Sequence, residues 1–362
     1  MGTSVYTHKE MKKLSAILVT CLTSLVLVGC QTDLNTTNTA TNQGDKIQNS
    51  RLATIKQRGR LICGINGQLP GFSFVNEVGE YSGMDVDICR AIAAALFDDP
   101  TKVEYRTLST QERFTAVQSG EVDILSRNTT YTLSRDTSVG LEFAPITFYD
   151  GQGIMVSQAS GIKNLEGLKG KTICVQAGTT SELNLTDQMR KRAINYTPVV
   201  FDDADAMYAA YQQGRCQGAT SDRSQLSSRR TAFPKPDDHI VLDAVISKEP
   251  LAVAVANGDT AWSDVVKWTI YTLIEAEEQG ITSKNIGTFT NSQDPTVKRF
   301  LGTEGELGTD MGLPNDFATR IITHVGNYGE IYEQNITKNL GLERGLNQLW
   351  TKGGLLYSPP FR

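Results

Sequence analysis

The stretch Lys171-Thr172-Ile173-Cys174-Val175-Gln176-Ala177-Gly178-Thr179-Thr180-Ser181 carries the fold in miniature. Thr172 to Val175 is a short β-favouring run, Gly178 breaks it, and three hydroxyl residues then offer caps for a helical pattern over Ser181 to Arg192. Working outward, Val199 to Phe201 extends again, Ala204 to Gln213 is helical, and Gly214 stops that helix. The same order lies upstream: Leu61 to Gly64 as a strand, and Asp85 to Phe97 as a helix with Ile88, Ile92, Ala95 and Leu96 on one face. Val103 to Arg106 reads as a strand, Gln111 to Ser119 as a helix, and Val122 to Leu125 as a strand. Alternation of this kind predicts an α/β fold with mostly parallel strands. Aligning Gly120 with Gly214 sets Phe114 opposite Tyr208, Ala116 opposite Ala210 and Asn128 opposite Asp222, although any two βαβ units share some of this likeness. Ligands of such sheets collect beyond the carboxyl ends of the strands, where loop amides and helix N-termini converge. Two facing units therefore predict a cleft walled by the segments after Gly64, Leu125, Val175 and Ala219.

The chain has 362 residues, 39% hydrophobic and 21% charged, which suits two ordinary globular domains. A formal charge of −5 lacks the clustered basic excess that phosphate neutralisation needs, so nucleic acid is excluded as a partner. Lys12 and Lys13 precede an apolar run from Leu14 to Val28, too short to span the bilayer but suited to a signal peptide. Leu27-Val28-Gly29-Cys30 resembles a bacterial lipobox, which would make Cys30 a lipid-bearing N-terminus; a plain signal peptide beside a chance cysteine is the alternative. Either gives an extracytoplasmic protein, lipid-anchored to the membrane in the first case. Met11 is an alternative start to Met1. Residues 31–50 are polar and read as a flexible tether. Loss of residues 1–30 leaves 32 basic against 39 acidic residues, a net charge of −7.

With Cys21 removed and Cys30 consumed, Cys63, Cys89, Cys174 and Cys216 remain, an even number that favours disulfides in an exported chain. Pairing within each unit, 63 with 89 and 174 with 216, is the simplest of three connectivities. No Cys-x-x-Cys motif and three histidines argue against a metal site, and no cofactor motif is complete.

Val122-Asp123-Ile124-Leu125, Asn128-Thr129-Thr130-Tyr131-Thr132-Leu133-Ser134-Arg135 and Phe143-Ala144 together resemble the polar amino-acid periplasmic binding proteins of ABC importers. Gly83-Met84-Asp85-Val86-Asp87, Val175-Gln176-Ala177-Gly178-Thr179-Thr180 and Gly214-Arg215 leading to Ser221-Asp222 add to the likeness. Leu125-Ser126-Arg127-Asn128-Thr129-Thr130 and Val325-Gly326-Asn327-Tyr328-Gly329-Glu330 are similar to the general L-amino-acid subgroup. The resemblance implies a two-lobed fold of periplasmic-binding-protein type II, with two crossover hinge strands near Phe148 to Gly153 and Val245 to Leu251. Residues 51–149 and 251–362 would then form lobe 1 and residues 150–250 lobe 2. It further implies a monomer that delivers free L-amino acids to ABC permease subunits, without catalysis. The segment after Gly280 reads as peripheral.

The zwitterionic head of an amino acid calls for an anion clamp beside an acid. Arg135 fits the clamp through its bidentate guanidinium, as the family pattern implies, and Asp222 fits the ammonium acceptor. Thr130 and the amides of Asn128 to Thr130 would complete lobe 1's grip, while Thr179 and Thr180 at a helix start would meet the carboxylate from lobe 2. Taken singly, Gly178-Thr179-Thr180-Ser181 reads as a helix cap, Arg135 as a partner of Glu142 or Asp136, and Asp222 as a turn former. Asn66, Gln68, Leu69, Phe72 and Gln111 fall opposite the side-chain-reading residues of relatives. Cation-specific relatives carry an Asp and an aromatic where this chain has Asn66 and Leu69, so neutral and polar ligands, with acidic ones admissible, are expected. The rival readings are a sensor or adaptor on the same lobes and a dehydratase on the same scaffold. No Gly-x-Ser-x-Gly, no Ser-x-x-Lys with partner motifs and no Walker loop supports an enzyme, and neither His239 nor His324 falls in the predicted cleft.

Overall fold

A computed structural model describes residues 50–362. The leader, Cys21, Cys30 and all of the tether but Ser50 lie outside the described residues. Ser50 starts the fold, its hydroxyl accepting from the amide of Ala53 to cap α1 (Arg51–Arg58).

The first unit then runs β1 (Leu61–Ile65), a flap of β2 (Gln68–Leu69), β3 (Ser73–Val75) and β4 (Tyr81–Ser82), then α2 (Met84–Phe97), β5 (Val103–Thr107), α3 (Arg113–Ser119), β6 (Ile124–Leu125) and α4 (Leu133–Thr137). β7 (Leu141–Ser157) follows, 17 residues long and so able to serve both halves. The second unit holds β8 (Thr172–Gln176), α5 (Thr180–Lys191), β9 (Thr197–Phe201), α6 (Ala204–Gln212), β10 (Gly218–Asp222), α7 (Arg223–Thr231) and β11 (His239–Val241). β12 (Lys248–Ala256) leads back, and α8 (Thr260–Glu278) lies on the first half.

The strands line up as β5-β1-β6-β12-β7-β10-β8-β9, with β11 on β7. β1 pairs in parallel with β5 and β6, and β8 with β9 and β10, so each half is a parallel sheet. β7 and β12 run antiparallel between the halves, with Glu249 opposite Asp150 and Pro250 opposite Tyr149. From Gln152 onward β7 pairs with β10 instead. The changeover falls at residues 150–152, within the first expected crossover. At Tyr149 this ribbon is flanked by side chains and turns: Asn347 Oδ1 accepts from the amide of Tyr149 at 2.6 Å and Asn347 Nδ2 donates to its carbonyl at 3.1 Å. On the other side the amide of Tyr131 donates to the carbonyl of Pro250 at 2.8 Å.

Disulfides join Cys63 to Cys89 and Cys174 to Cys216, each tying a first strand to its own unit. The α8 positions Trp262, Val266, Thr269, Leu273 and Ala276 are all buried, as their helical spacing predicts.

Residues beyond Gly280 are not peripheral. α9 (Pro295–Phe300), α11 (Phe317–His324) and α12 (Tyr328–Tyr332) supply Phe300, Phe317, Tyr328 and Tyr332 to the same core as β1, α2 and α8, and α10 (Leu307–Asp310) packs Leu307 against it. The Tyr328 hydroxyl donates to the carbonyl of Thr147 at 2.7 Å, and Arg344 grips Glu277 through two bonds of 3.0 Å. Burial of four large aromatic rings is worth several kcal/mol, so this segment is part of what holds the first half together. Among the described residues no helix is long and apolar enough to cross a membrane.

Candidate functional site

The carboxyl ends of β1, β5, β6, β8, β9 and β10 converge on one cavity of about 240 Å³. The first half contributes Asn66, Gln68, Thr110, Arg113, Arg127, Asn128, Thr130 and Arg135; the second contributes Gln176, Thr179, Thr180, Ser181, Asp202, Asp203, Asp222, Gln225 and Arg229. Side chains close the rim across the two halves. Gln111 Nε2 donates to the carbonyl of Asp202 at 3.0 Å, Gln176 Nε2 to Thr110 Oγ1 at 3.1 Å, and Ser228 Oγ to the carbonyl of Pro70 at 2.7 Å.

Arg135 stands on α4, whose start is capped by Thr132. One amino group donates to the carbonyl of Thr130 at 2.7 Å, which anchors the guanidinium and leaves the remaining donors of its fork to the cavity. The ring of Phe114 lies 5.2 Å beneath it. Burial lowers its pKa, with Glu249 and Asp222 opposing, so it stays a cation.

Asp222 ends β10 and is buried, yet among the described residues no hydrogen bond reaches its carboxylate. Burial lifts its pKa well above the ordinary carboxylate range, and the nearby Asp150 and Glu249 push the same way. Asp150 is itself raised to about 6, mainly by burial. An acid held in this state gains most from an incoming cation.

The other predicted residues divide between the cavity and its surroundings. The amide of Asn128 is not free for a ligand: it donates to Asp85 Oδ2 at 3.2 Å, and its side chain reaches Gln225 across the cleft at 3.3 Å. Asn128 itself sits at φ 27°, in the left-handed region that asparagine tolerates. Thr179 caps α5 by accepting from the amide of Glu182, as the plain helix-cap reading has it, while also lining the cavity. Asn66 lines the cavity and accepts from the amide of Gln68 at 3.1 Å. Phe72 does not line it. It is fully buried and packs edge-on to Phe148 at 5.1 Å, while Gly83, at φ 123°, lets the start of α2 press onto the Phe72 carbonyl, from which a Cβ would lie only 2.1 Å away. Leu69 points into the same core, the inward alternate of Gln68. Gln111 is at the rim, where it bridges the halves instead of lining the cavity. His239 and His324 pair with Tyr211 and Asp98, away from the cavity.

The residue that sequence reasoning missed is Glu249, fully buried on β12. Its Oε2 accepts from Thr130 Oγ1 at 2.7 Å and from Thr180 Oγ1 at 2.8 Å; its Oε1 accepts from Asn184 at 2.8 Å and from Ser247. The two threonine hydroxyls, from opposite halves, are 3.4 Å apart. Lys248-Glu249-Pro250 looks in sequence like a polar connection, and nothing in its spacing marks the middle residue. Arg113, Arg127 and Arg229 were also missed as cavity residues. The one signal was an arginine directly before Phe114, where the second unit carries Met207 ahead of Tyr208.

The family of bacterial extracellular solute-binding proteins, family 3, matches residues 61–288. This chain belongs to that family. It is similar to the general L-amino acid-binding periplasmic protein AapJ of Rhizobium johnstonii, 51% identical over 315 residues that cover 86% of this chain and 92% of the relative. The glutamate/glutamine/aspartate/asparagine-binding protein BztA of Rhodobacter capsulatus is 48% identical over 317 residues, 86% of this chain and 94% of that one. Among solved structures, an ABC transporter periplasmic binding protein from Brucella ovis with glutathione bound superposes with a TM-score of 0.85 at 51% identity, covering 86% of this chain and 99% of its own. The two-lobed α/β fold of periplasmic binding proteins expected from the sequence is the fold observed. Its members are binding proteins of the extracytoplasmic space.

Proposed function

We propose that this protein captures free L-amino acids of broad type in the interlobe cavity and hands them to the permease of an ABC importer, acting without catalysis. The observation that carries the reading is the presence of Arg135 and Asp222 on opposite walls of one polar cavity between the halves. Arg135 would take the α-carboxylate and Asp222 the ammonium, with the Thr130 and Thr180 hydroxyls, already donated to Glu249, offering lone pairs to that ammonium. Micromolar capture of a ligand of about ten heavy atoms takes about 8 kcal/mol, high per atom but below the small-ligand ceiling, and it demands exclusion of water. Closure of the lobes supplies that exclusion and gives the permease a shape that differs from the empty one. We further propose that the mature chain works as a monomer tethered by lipid at Cys30, a residue outside the described part.

Glutathione in the Brucella ovis relative favours a second reading, capture of a small peptide. A cavity of 240 Å³ lies below the roughly 300–1,000 Å³ of sites for drug-sized ligands, which favours the single amino acid. Titration calorimetry of the full chain against the twenty L-amino acids and glutathione separates the two. The expected result is binding of several neutral and polar amino acids. Arg135→Ala should weaken all of them together, by roughly 100-fold or more, since two charge-assisted bonds of about 1.5–3 kcal/mol each are lost. Asn66→Ala should instead reorder their preference. Binding confined to lysine and arginine, or to glutathione, would refute the reading.

A further inference from the structure

A second hollow, of about 300 Å³, opens beside the changeover of β7, and no residue lines both it and the cavity described above. Helix α7 divides the two: Gln225 and Arg229 face the cavity, Ser224 and Ser227 the hollow. One wall belongs to the second half, where Arg223 and Val245 stand. The other is the C-terminal segment around Glu343 and Leu346. That segment is fixed to the first half, since Glu277 of α8 holds Arg344 and the Glu343 carbonyl accepts from the Tyr332 hydroxyl at 2.9 Å. The hollow therefore spans the joint, and the angle between the lobes sets its width.

Its walls carry unmatched groups. Val245 and Leu346 are 57% and 54% exposed, large apolar side chains left open on opposite lobes. Arg223 donates through Nη1 to the carbonyl of Leu242 at 2.6 Å, yet among the described residues no acid pairs with it. Glu343 is exposed, and among the described residues no donor reaches its carboxylate. The other charged groups of the hollow are already engaged. Asp150 accepts from the amides of Gly151 at 2.7 Å and Ser224 at 3.1 Å, and Arg344 is taken by Glu277. What stays available is one cation on the second lobe, one acid on the first, and an apolar surface on each.

We propose that this hollow is an effector site for an apolar amino acid such as L-leucine, whose carboxylate pairs with Arg223, whose ammonium pairs with Glu343 and whose side chain covers Val245 and Leu346. A zwitterion matches two opposite charges set on facing walls, whereas a simple carboxylate or amine satisfies one and leaves the other. The hollow exceeds the 240 Å³ of the interlobe cavity, so it has room for one amino acid. A molecule that bridges both walls fits them at one lobe angle, here the angle at which the rim bonds are made. Bound there it favours the shut lobes and hence capture in the main cavity, and by reciprocity capture favours it. This coupling rests on the function proposed above; the site itself does not.

The test is calorimetry of the full chain at pH 7. With the interlobe cavity first saturated by L-glutamine, added L-leucine should still bind, one molecule per chain. Arg135→Ala, which empties the main cavity, should keep that binding but weaken it at least about fivefold, the low end of usual coupling between sites. Isocaproate, which is leucine without its ammonium, should bind more weakly than leucine by about tenfold or more, as the loss of one charge-assisted bond implies. Arg223→Gln and Glu343→Gln should each abolish the leucine binding and leave glutamine capture alone unchanged. Glu343→Gln carries the test if Arg223→Gln does not fold, because the Glu343 side chain holds nothing else in place. No leucine binding to the glutamine-saturated chain would overturn the site, as would its persistence in Glu343→Gln. Equal leucine affinity with the main cavity full and empty would overturn the coupling. Failure of glutamine to bind the native chain, with leucine still binding one per chain and lost in Glu343→Gln, would overturn the reading of the main cavity and leave this site standing.

Discussion

Glu249→Gln is the substitution that most directly probes how the cavity shuts. The carboxylate sits on a crossover strand and accepts from Thr130 of one lobe and from Thr180 and Asn184 of the other. Thr130 and Thr180 donate to the same oxygen and lie 3.4 Å apart, so lobes that swing open must break at least one of these bonds. A hydrogen bond to a charged acceptor contributes about 1.5–3 kcal/mol, a neutral one about 0.5–1.5 kcal/mol. Glutamine, of nearly the same shape, therefore removes about 1–1.5 kcal/mol from each bond that distinguishes closed from open. One such bond corresponds to roughly a tenfold loss of affinity. Because closure is common to every ligand, the loss should be the same for alanine, glutamine and glutamate. Calorimetry measures it, and small-angle scattering should show a larger ligand-free radius of gyration for the variant. Affinities within twofold of the native chain, or losses that depend on the ligand side chain, would refute a closing role for Glu249.

Two further outcomes follow from the buried acids. Asp222 has a raised pKa in the free protein, and an ammonium ligand favours its ionised form, so capture should expel a proton; affinity should rise with pH, by at most a factor of about ten per unit, and the heat of binding should vary with the buffer's ionisation enthalpy. A heat independent of buffer would contradict this. Asp85 is raised from 3.8 to about 6 by burial, so between those values the folded chain holds a proton that the unfolded chain has lost, and stability falls as pH rises through that window, by up to about 3 kcal/mol. Asp85→Asn should flatten this dependence and stabilise the protein at pH 7, as urea unfolding at pH 4 and pH 7 would show.

The fold was legible because its strands are short and apolar and its helices periodic, as Thr172 to Val175 and Asp85 to Phe97 illustrate. Arg135 and Asp222 were legible through a family pattern, and the structure places both on the cavity. Glu249 was not, because its importance comes from donors 65 to 119 positions away that meet only in the folded chain. Phe72 was singled out by its position opposite the side-chain-reading residues of relatives, but its ring is taken up by packing against Phe148, which only the folded chain brings near. The C-terminal segment hid its packing because its buried residues are spread over helices of four to eight residues, shorter than the roughly 11–18-residue window in which a hydrophobic period is read.

Asn347 shows what that segment does for the connection between the lobes. A ribbon of two strands leaves a row of peptide groups bare on either border, and bare strand borders invite a neighbouring molecule to add itself or to exchange a half. The carboxamide of Asn347 stands in for the missing peptide beside Tyr149, while the backbone of Tyr131 does the same beside Pro250. The joint is thereby closed on one border by a single side chain and on the other by a single turn, so its peptide groups there are spoken for inside the chain.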